Sequence, residues 1–276
     1  MTQPRAVCIW SAAALVVVLA TTNPVYRALV AAAGVAFLAE SGRRGMGWRR
    51  LATGLTLMVA TGLVLNAVLS HAGDDVLFSV PAVLPVLGGR YTVESLAFGA
   101  SAGLGIAASV LAVAPLSLVL EPSQVAEALP APFARAGAAV ASSLNLVPAL
   151  SRAFAAVHEA QRLRGWRPGW RSLPEVATPA LLTAIEDSVD LAEAMEARGF
   201  GSGRRTSLGG GRWSGRDVAV ALTALLAAAF FVLGRPADWY AYPALTAPPV
   251  EPLAVAACLA LFLPSLQWPP WRRLIA

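Results

Sequence analysis

Apolar residues fill this chain in long stretches, separated by short polar turns and by one long polar region. A helix rises 1.5 Å per residue and needs about 20 apolar residues to cross about 30 Å of hydrocarbon. On that measure the pattern predicts spans near 6–22, 25–40, 51–70, 93–119, 217–234 and 251–268. The first two are short, and Asn23-Pro24 makes a tight turn between them, so a hairpin of tilted or partly buried helices fits them. Pro24 suits the start of the second helix, where a missing N–H costs nothing. Arg5 followed by the apolar run 6–20 has the outline of a secretory signal. No small-x-small cleavage site follows, so the run is read as a first transmembrane helix.

The region 121–216 has a different period. Leu144, Val147, Leu150, Phe154 and Val157 recur every three or four residues, as do Leu182, Ile185, Val189, Ala192 and Met195. That spacing predicts two amphipathic helices, read as about four turns each and lying under or against the membrane. Pro168 and Pro174 separate them, and Gly199 to Gly215 reads as a flexible tether into the fifth span. The expected organisation is membrane helices over 1–120, a helical cytoplasmic region over 121–216, and two further membrane helices over 217–276. The expected fold class is all-α and polytopic.

Composition agrees with that class. The chain is 57% apolar and only 13% charged, against about 25% charged in ordinary soluble domains. Its net charge of +5 comes from arginine alone, because the 276 residues contain no lysine. Eighteen of the 21 arginines fall on one side when both termini and 121–216 are cytoplasmic; Arg27, Arg90 and Arg235 remain outside. The positive-inside rule therefore accounts for the basicity, and nucleic acid is not an expected partner.

Candidate chemistry is sparse. His71 and His158 lie in different segments without cysteine or acidic neighbours at metal-ligand spacing. Cys8 and Cys258 sit in apolar runs at opposite ends and are read as small hydrophobes. A phosphate-binding loop that ends in lysine is ruled out by the absence of lysine. Gly199 to Gly211 follows a helix instead of linking a strand to one, so it is read as a linker. No catalytic residue, resident metal or cofactor is expected. Gly99 and Gly103 form a Gly-x-x-x-Gly pair, with Gly105 nearby, which suits a close helix contact either with a membrane partner or within this chain. Asn66 and Glu94 are read as interfacial polar residues. Glu186, Asp187, Asp190, Glu193 and Glu196 form either a solvated acidic face or a surface for a basic partner.

One feature stands apart. Glu159-Ala160-Gln161-Arg162-Leu163-Arg164-Gly165-Trp166 and Glu193-Ala194-Met195-Glu196-Ala197-Arg198-Gly199-Phe200 repeat one pattern 34 residues apart. Glycine past a helix C-terminus takes the left-handed conformation without a Cβ clash, and an arginine in the last turn suits the helix dipole. Capping explains Arg-Gly. It does not require the upstream Glu-Ala or the aromatic residue that follows.

With this pair the chain resembles the transmembrane T component of energy-coupling factor (ECF) transporters, the family of cobalt, biotin and vitamin uptake systems. The resemblance covers nearly the whole chain. Leu163-Arg164-Gly165 and Ala197-Arg198-Gly199 match the family's two Ala-Arg-Gly-type signatures, with Leu163 where alanine is usual. Asn23-Pro24 and Gly88-Gly89-Arg90-Tyr91-Thr92 also look like the family. The resemblance implies a non-catalytic scaffold in the bacterial cell membrane with two partners: a pair of ABC-type ATPases and a separate substrate-binding membrane subunit. It further implies that Arg164, Gly165, Ala197, Arg198 and Gly199, with Glu159 and Glu193, form the docking ends. Two competing classes make their own demands. A self-contained secondary transporter needs ionisable residues or broken helices at a midplane site. A membrane enzyme needs convergent His, Asp or Ser groups in the bilayer.

Overall fold

The computed structural model describes residues 3–40, 48–70, 73–80, 88–120, 134–165, 173–199, 213–236 and 238–266. Helix dominates. The chain divides into two compact units, one of Met1–Glu121 with Trp213–Ala276 and one of Pro122–Arg212.

The first unit opens with α1 (Pro4–Ala20) and α2 (Pro24–Glu40), each of 17 residues. At about 26 Å they fall short of the usual hydrocarbon thickness, as the short sequence runs predicted. Asn23 makes the turn between them: its Oδ1 accepts from the Val25 N–H at 3.0 Å, while its Nδ2 donates to the Pro249 carbonyl at 2.7 Å. Proline then starts α2 as expected. The buried side of α1 carries Val7, Trp10, Ala14 and Val17 at helical spacing. Trp10 stacks on Phe37 of α2 with ring centroids 4.9 Å apart.

Helices α3 (Trp48–Leu69) and α4 (Val93–Leu118) form the closest pair. Their crossing is built from glycine: a Cβ at Gly62 would lie 2.7 Å from the Gly103 Cα, and one at Gly103 would lie 2.7 Å from the Val59 Cα. The Gly99/Gly103 pair thus packs within this chain, which decides between the two uses the sequence left open. Thr92 caps α4 by accepting from the Ser95 N–H at 3.3 Å.

Two strands not anticipated from the sequence join these helices. β1 (Val76–Val80) pairs antiparallel with β2 (Gly89–Thr92), and Phe78 stacks on Tyr91 at 4.6 Å. The hairpin is tied back to α4. Glu94 is buried, and its Oε1 accepts from the Asp74 and Asp75 N–H groups at 3.2 and 3.1 Å. Asn66 lies within 3.4 Å of the Tyr242 hydroxyl, so it too serves a bond between segments.

Skipping the second unit, α7 (Gly215–Gly234) packs on α1 through Val220, Ala224, Ala227 and Phe231. Ser214 and Asp217 form a reciprocal capping box. Asp217 also accepts from the Gln3 N–H at 3.2 Å, fastening α7 to the start of α1. Replacing Asp217 by alanine removes both functions. We expect a loss of about 1–2 kcal/mol, read as a lower thermal midpoint in detergent, with Asp217→Asn recovering part of it.

The sixth predicted span is not one helix. α8 (Pro252–Ala260) ends at a turn before the short α9 (Leu263–Leu266). Pro264 explains the break: its ring opposes the Ala260 carbonyl four residues back, and it has no N–H to give it. One residue on, the Ser265 N–H donates to Phe262 instead of Leu261, and the Leu261 carbonyl accepts from the Trp10 indole at 3.0 Å. Among the described residues, three helices are long and apolar enough to span a membrane: Arg49–Leu69, Val93–Leu118 and Gly215–Gly234. Both cysteines are free thiols.

The second unit is a pair of packed helices, α5 (Ala134–Leu163) and α6 (Leu173–Ala197). Their 30 and 25 residues make about eight and seven turns, far more than the four expected. Pro148 and Pro179 lie inside them without ending them. Pro174, predicted to separate the helices, instead belongs to the first turn of α6, where proline is tolerated. The remaining linker positions, Pro168 and 200–212, lie outside the described residues.

Candidate functional site: two arginine–glycine helix ends

The two repeated segments have the same local structure. α5 stops at Leu163 and α6 at Ala197, and each is followed by an Arg-Gly turn. Gly165 has φ +79° and Gly199 has φ +78°, the left-handed conformation that glycine adopts without cost. The Arg164 N–H donates to the Ala160 carbonyl, and the Arg198 N–H donates to the Ala194 carbonyl, both at 3.3 Å. The Gly165 and Gly199 amides close the turn on Arg162 and Glu196, at 3.0 and 2.8 Å. Every one of these bonds recurs at an offset of 34 residues. Capping therefore accounts for the Arg-Gly step in both copies.

The side chains around each turn face outward. Glu159, Arg164 and Gly165 are exposed at the end of α5; Glu193, Ala197, Arg198 and Gly199 are exposed at the end of α6. Among the described residues, neither Arg164 nor Arg198 has an ion-pair or side-chain hydrogen-bond partner. A guanidinium carries a planar fork of donors suited to a carboxylate, so each helix end presents an unused bidentate group. No hydrogen bond among the described residues joins one set to the other. Leu163, the departure from the alanine signature, is 84% exposed and fills no internal space. Trp166 and Phe200 lie outside the described residues.

Between these ends, α6 is amphipathic in an unexpected orientation. Among the described residues its buried positions are Ala180 and Ala184, while Leu182, Ile185 and Val189 are 57%, 52% and 51% exposed. The large aliphatic residues that signalled the helix thus lie off its buried side. The two buried positions are small residues, the kind that lets helix backbones approach. Leu181 and Leu191, which the three-and-four spacing passed over, are exposed as well. Glu186, Asp187, Asp190, Glu193 and Glu196 are exposed among them. The result is a mixed acidic and aliphatic surface.

His158 is half-buried on α5, and His71 lies outside the described residues. Among the described residues no three His, Cys, Asp or Glu side chains are grouped to hold a metal ion.

Compared with known families, residues 2–208 match the model described as CbiQ, cobalt transport protein. The match covers three quarters of the chain and both arginine–glycine ends. No curated protein matches the chain.

Proposed function

On the premise that this chain belongs to the cobalt transport protein family, the T-component family of ECF transporters and hence membrane transport components, we propose that it is the coupling scaffold of an ATP-driven importer. In this proposal it joins two cytoplasmic ABC-type ATPases to a separate substrate-binding membrane subunit, for uptake of a transition metal or vitamin. The membrane unit spans the bilayer with both termini and the α5–α6 unit on the cytoplasmic side. The chain hydrolyses nothing itself.

One observation carries this reading: two helices end in the same left-handed glycine turn, with matching backbone bonds from Arg164 and Arg198 and from the glycine after each, and each offers an exposed arginine that is unpaired among the described residues. A doubled end suits a pair of similar partners. Arg164 and Arg198 each enter an ATPase groove and form a forked pair with a carboxylate there. Closing of the two ATPases on ATP then displaces two helix ends. The helices behind those ends run for 30 and 25 residues, so the displacement travels along rods about 45 and 38 Å long. Glu159 and Glu193 stand five residues before their arginines, about 7.5 Å back along the axis, and present negative charge to basic groups flanking the groove. Cargo recognition rests with the partner membrane subunit.

Purification from native membranes in mild detergent tests the assembly. Two ATPase subunits and one small hydrophobic subunit are expected to accompany the chain. A chain that purifies alone and still carries out uptake in vesicles overturns the scaffold reading in favour of a self-contained transporter.

A further inference from the structure

Arg27 is one of the three arginines expected on the outer side. It lies four residues into α2, inside an otherwise apolar run. A cation there is costly unless the fold gives it a purpose. The structure gives it part of one. Its Nε donates to the Thr21 carbonyl and its Nη1 to the Ser101 carbonyl, both at 3.0 Å. The guanidinium lies against Gly105, where a Cβ would come within 2.9 Å of it. The nearest counter-ion, Asp238, acts on it through charge alone: its carboxylate makes no hydrogen bond to Arg27 and accepts instead from the N–H and hydroxyl of Thr22, both at 3.2 Å. Among the described residues, Nη2 has no acceptor.

Beside Arg27 a cavity of about 310 Å³ opens between α1, α4 and the segment after α7. Its walls are mostly apolar, with Val18, Leu19, Phe98 and Ile106 prominent. Leu19 and Ile106 are themselves largely exposed, so the cavity opens sideways from the bundle. Arg27, Thr22 and Trp239 mark its polar end, at the α1–α2 turn. Tryptophan and arginine at the end of apolar helices are the usual residues of a membrane–water interface. From Ser101, which Arg27 holds, to Ser109 the α4 wall runs eight residues, or about 12 Å. That is most of the depth of one leaflet, which is about 15 Å.

We propose that this cavity binds a phospholipid, with the phosphodiester on Arg27 and one acyl chain lying along α4 between Val18, Leu19 and Ile106. The chemistry at both ends fits. A spare guanidinium donor suits a phosphate oxygen, and an open apolar trough suits a lipid chain better than a soluble ligand. Bound there, the lipid fastens the α1–α2 hairpin to α4 on the side where α1 and α2 are short. The inference concerns the membrane unit alone, so it stands or falls apart from the coupling role.

Native mass spectrometry of the full chain, released from mild detergent, tests it. Wild-type protein is expected to retain one phospholipid after delipidation that strips bulk lipid. Added phosphatidylglycerol should restore the bound species, and a fatty acid of equal chain length should not. Arg27→Gln is expected to reduce retention at least fivefold. Because that change also breaks the bonds to Thr21 and Ser101, Ala102→Phe is the second variant. It fills the trough and leaves all Arg27 bonds in place, and it too should lower retention at least fivefold. Equal retention in wild type and Ala102→Phe overturns the proposal, as does preferential binding of the fatty acid. Lipid absent from the assembled complex, with a partner subunit cross-linking to a cysteine placed at position 106, overturns it in favour of a protein occupant.

Discussion

Gly103→Leu is expected to abolish accumulation of the folded protein in membranes, and Gly62→Ala to lower its thermal midpoint by several degrees. Both follow from backbone contact where α3 crosses α4. At Gly103 an added Cβ would lie 2.7 and 2.8 Å from the Cα and carbonyl oxygen of Val59; at Gly62 it would lie 2.7 and 2.8 Å from the Cα and amide nitrogen of Gly103. Backbone atoms cannot rotate away, so the helices must separate. Overpacking of a tight interior costs about 1–3 kcal/mol, and a leucine at the crossing costs more than an alanine. In lipid that separation is hard to offset, because packing and not hydrophobic exclusion holds apolar helices together. Gly54 provides the control on the same helix. Nothing lies within 4 Å of a Cβ placed there, so Gly54→Ala should gain up to about 1 kcal/mol from helix propensity alone. The measurement is fluorescence-monitored size exclusion after heating in detergent. A Gly62→Ala protein as stable as Gly54→Ala would show that the crossing is looser than the geometry requires.

The same crossing shows where sequence reasoning reaches its limit. Gly99 and Gly103 were visible as a helix-contact motif, but the partner was not, because a small-residue face is equally complementary to a helix inside or outside the chain. What was legible was local. Proline at the start of α2 and glycine past α5 and α6 act through their own backbone torsions, and the structure places all three as read. What was missed depended on tertiary support. Each helix was expected at about four turns, yet α5 and α6 run through Pro148 and Pro179 despite the ordinary cost of an interior proline. Pro264 did break its helix, and in the turn before it the Leu261 carbonyl, passed over by the Ser265 N–H, had the Trp10 indole as donor. Sequence distance hid that compensation, since the two residues are 251 positions apart. The β1–β2 hairpin was hidden because Val76–Val80 is apolar without alternating burial, and its buried anchor, Glu94, belongs to the next helix. Arg27 was countable as a charge but not as a binding group, because only the fold brings Ser101 and the trough beside it.

Reversing both charges, Arg164→Glu with Arg198→Glu, is expected to reduce uptake to background while leaving membrane insertion intact. Both side chains are exposed and lack partners within the described residues, so their loss breaks no contact among those residues. Losing one member of a desolvated forked pair costs about 2–5 kcal/mol at an interface. With 1.4 kcal/mol per factor of ten, each site alone weakens ATPase association by roughly 30- to 3000-fold. Arginine to lysine separates charge from shape. Lysine keeps the charge but not the planar fork, so the double lysine variant should fall between wild type and alanine. Gly165→Ala and Gly199→Ala probe the same ends through the backbone. A Cβ at φ near +79° strains the turn by about 1 kcal/mol and re-aims the arginine before it, so a loss of association is expected with both arginines still present. The two ends need not be equal. Ala197 matches the signature and Leu163 does not, so Arg198 variants should show the larger loss, and Leu163→Ala should strengthen the first end without touching stability, given its exposure. Co-purification of the ATPases together with vesicle uptake reads all of these. Full association and uptake in the double glutamate variant would mean that the arginines cap helices and do nothing more.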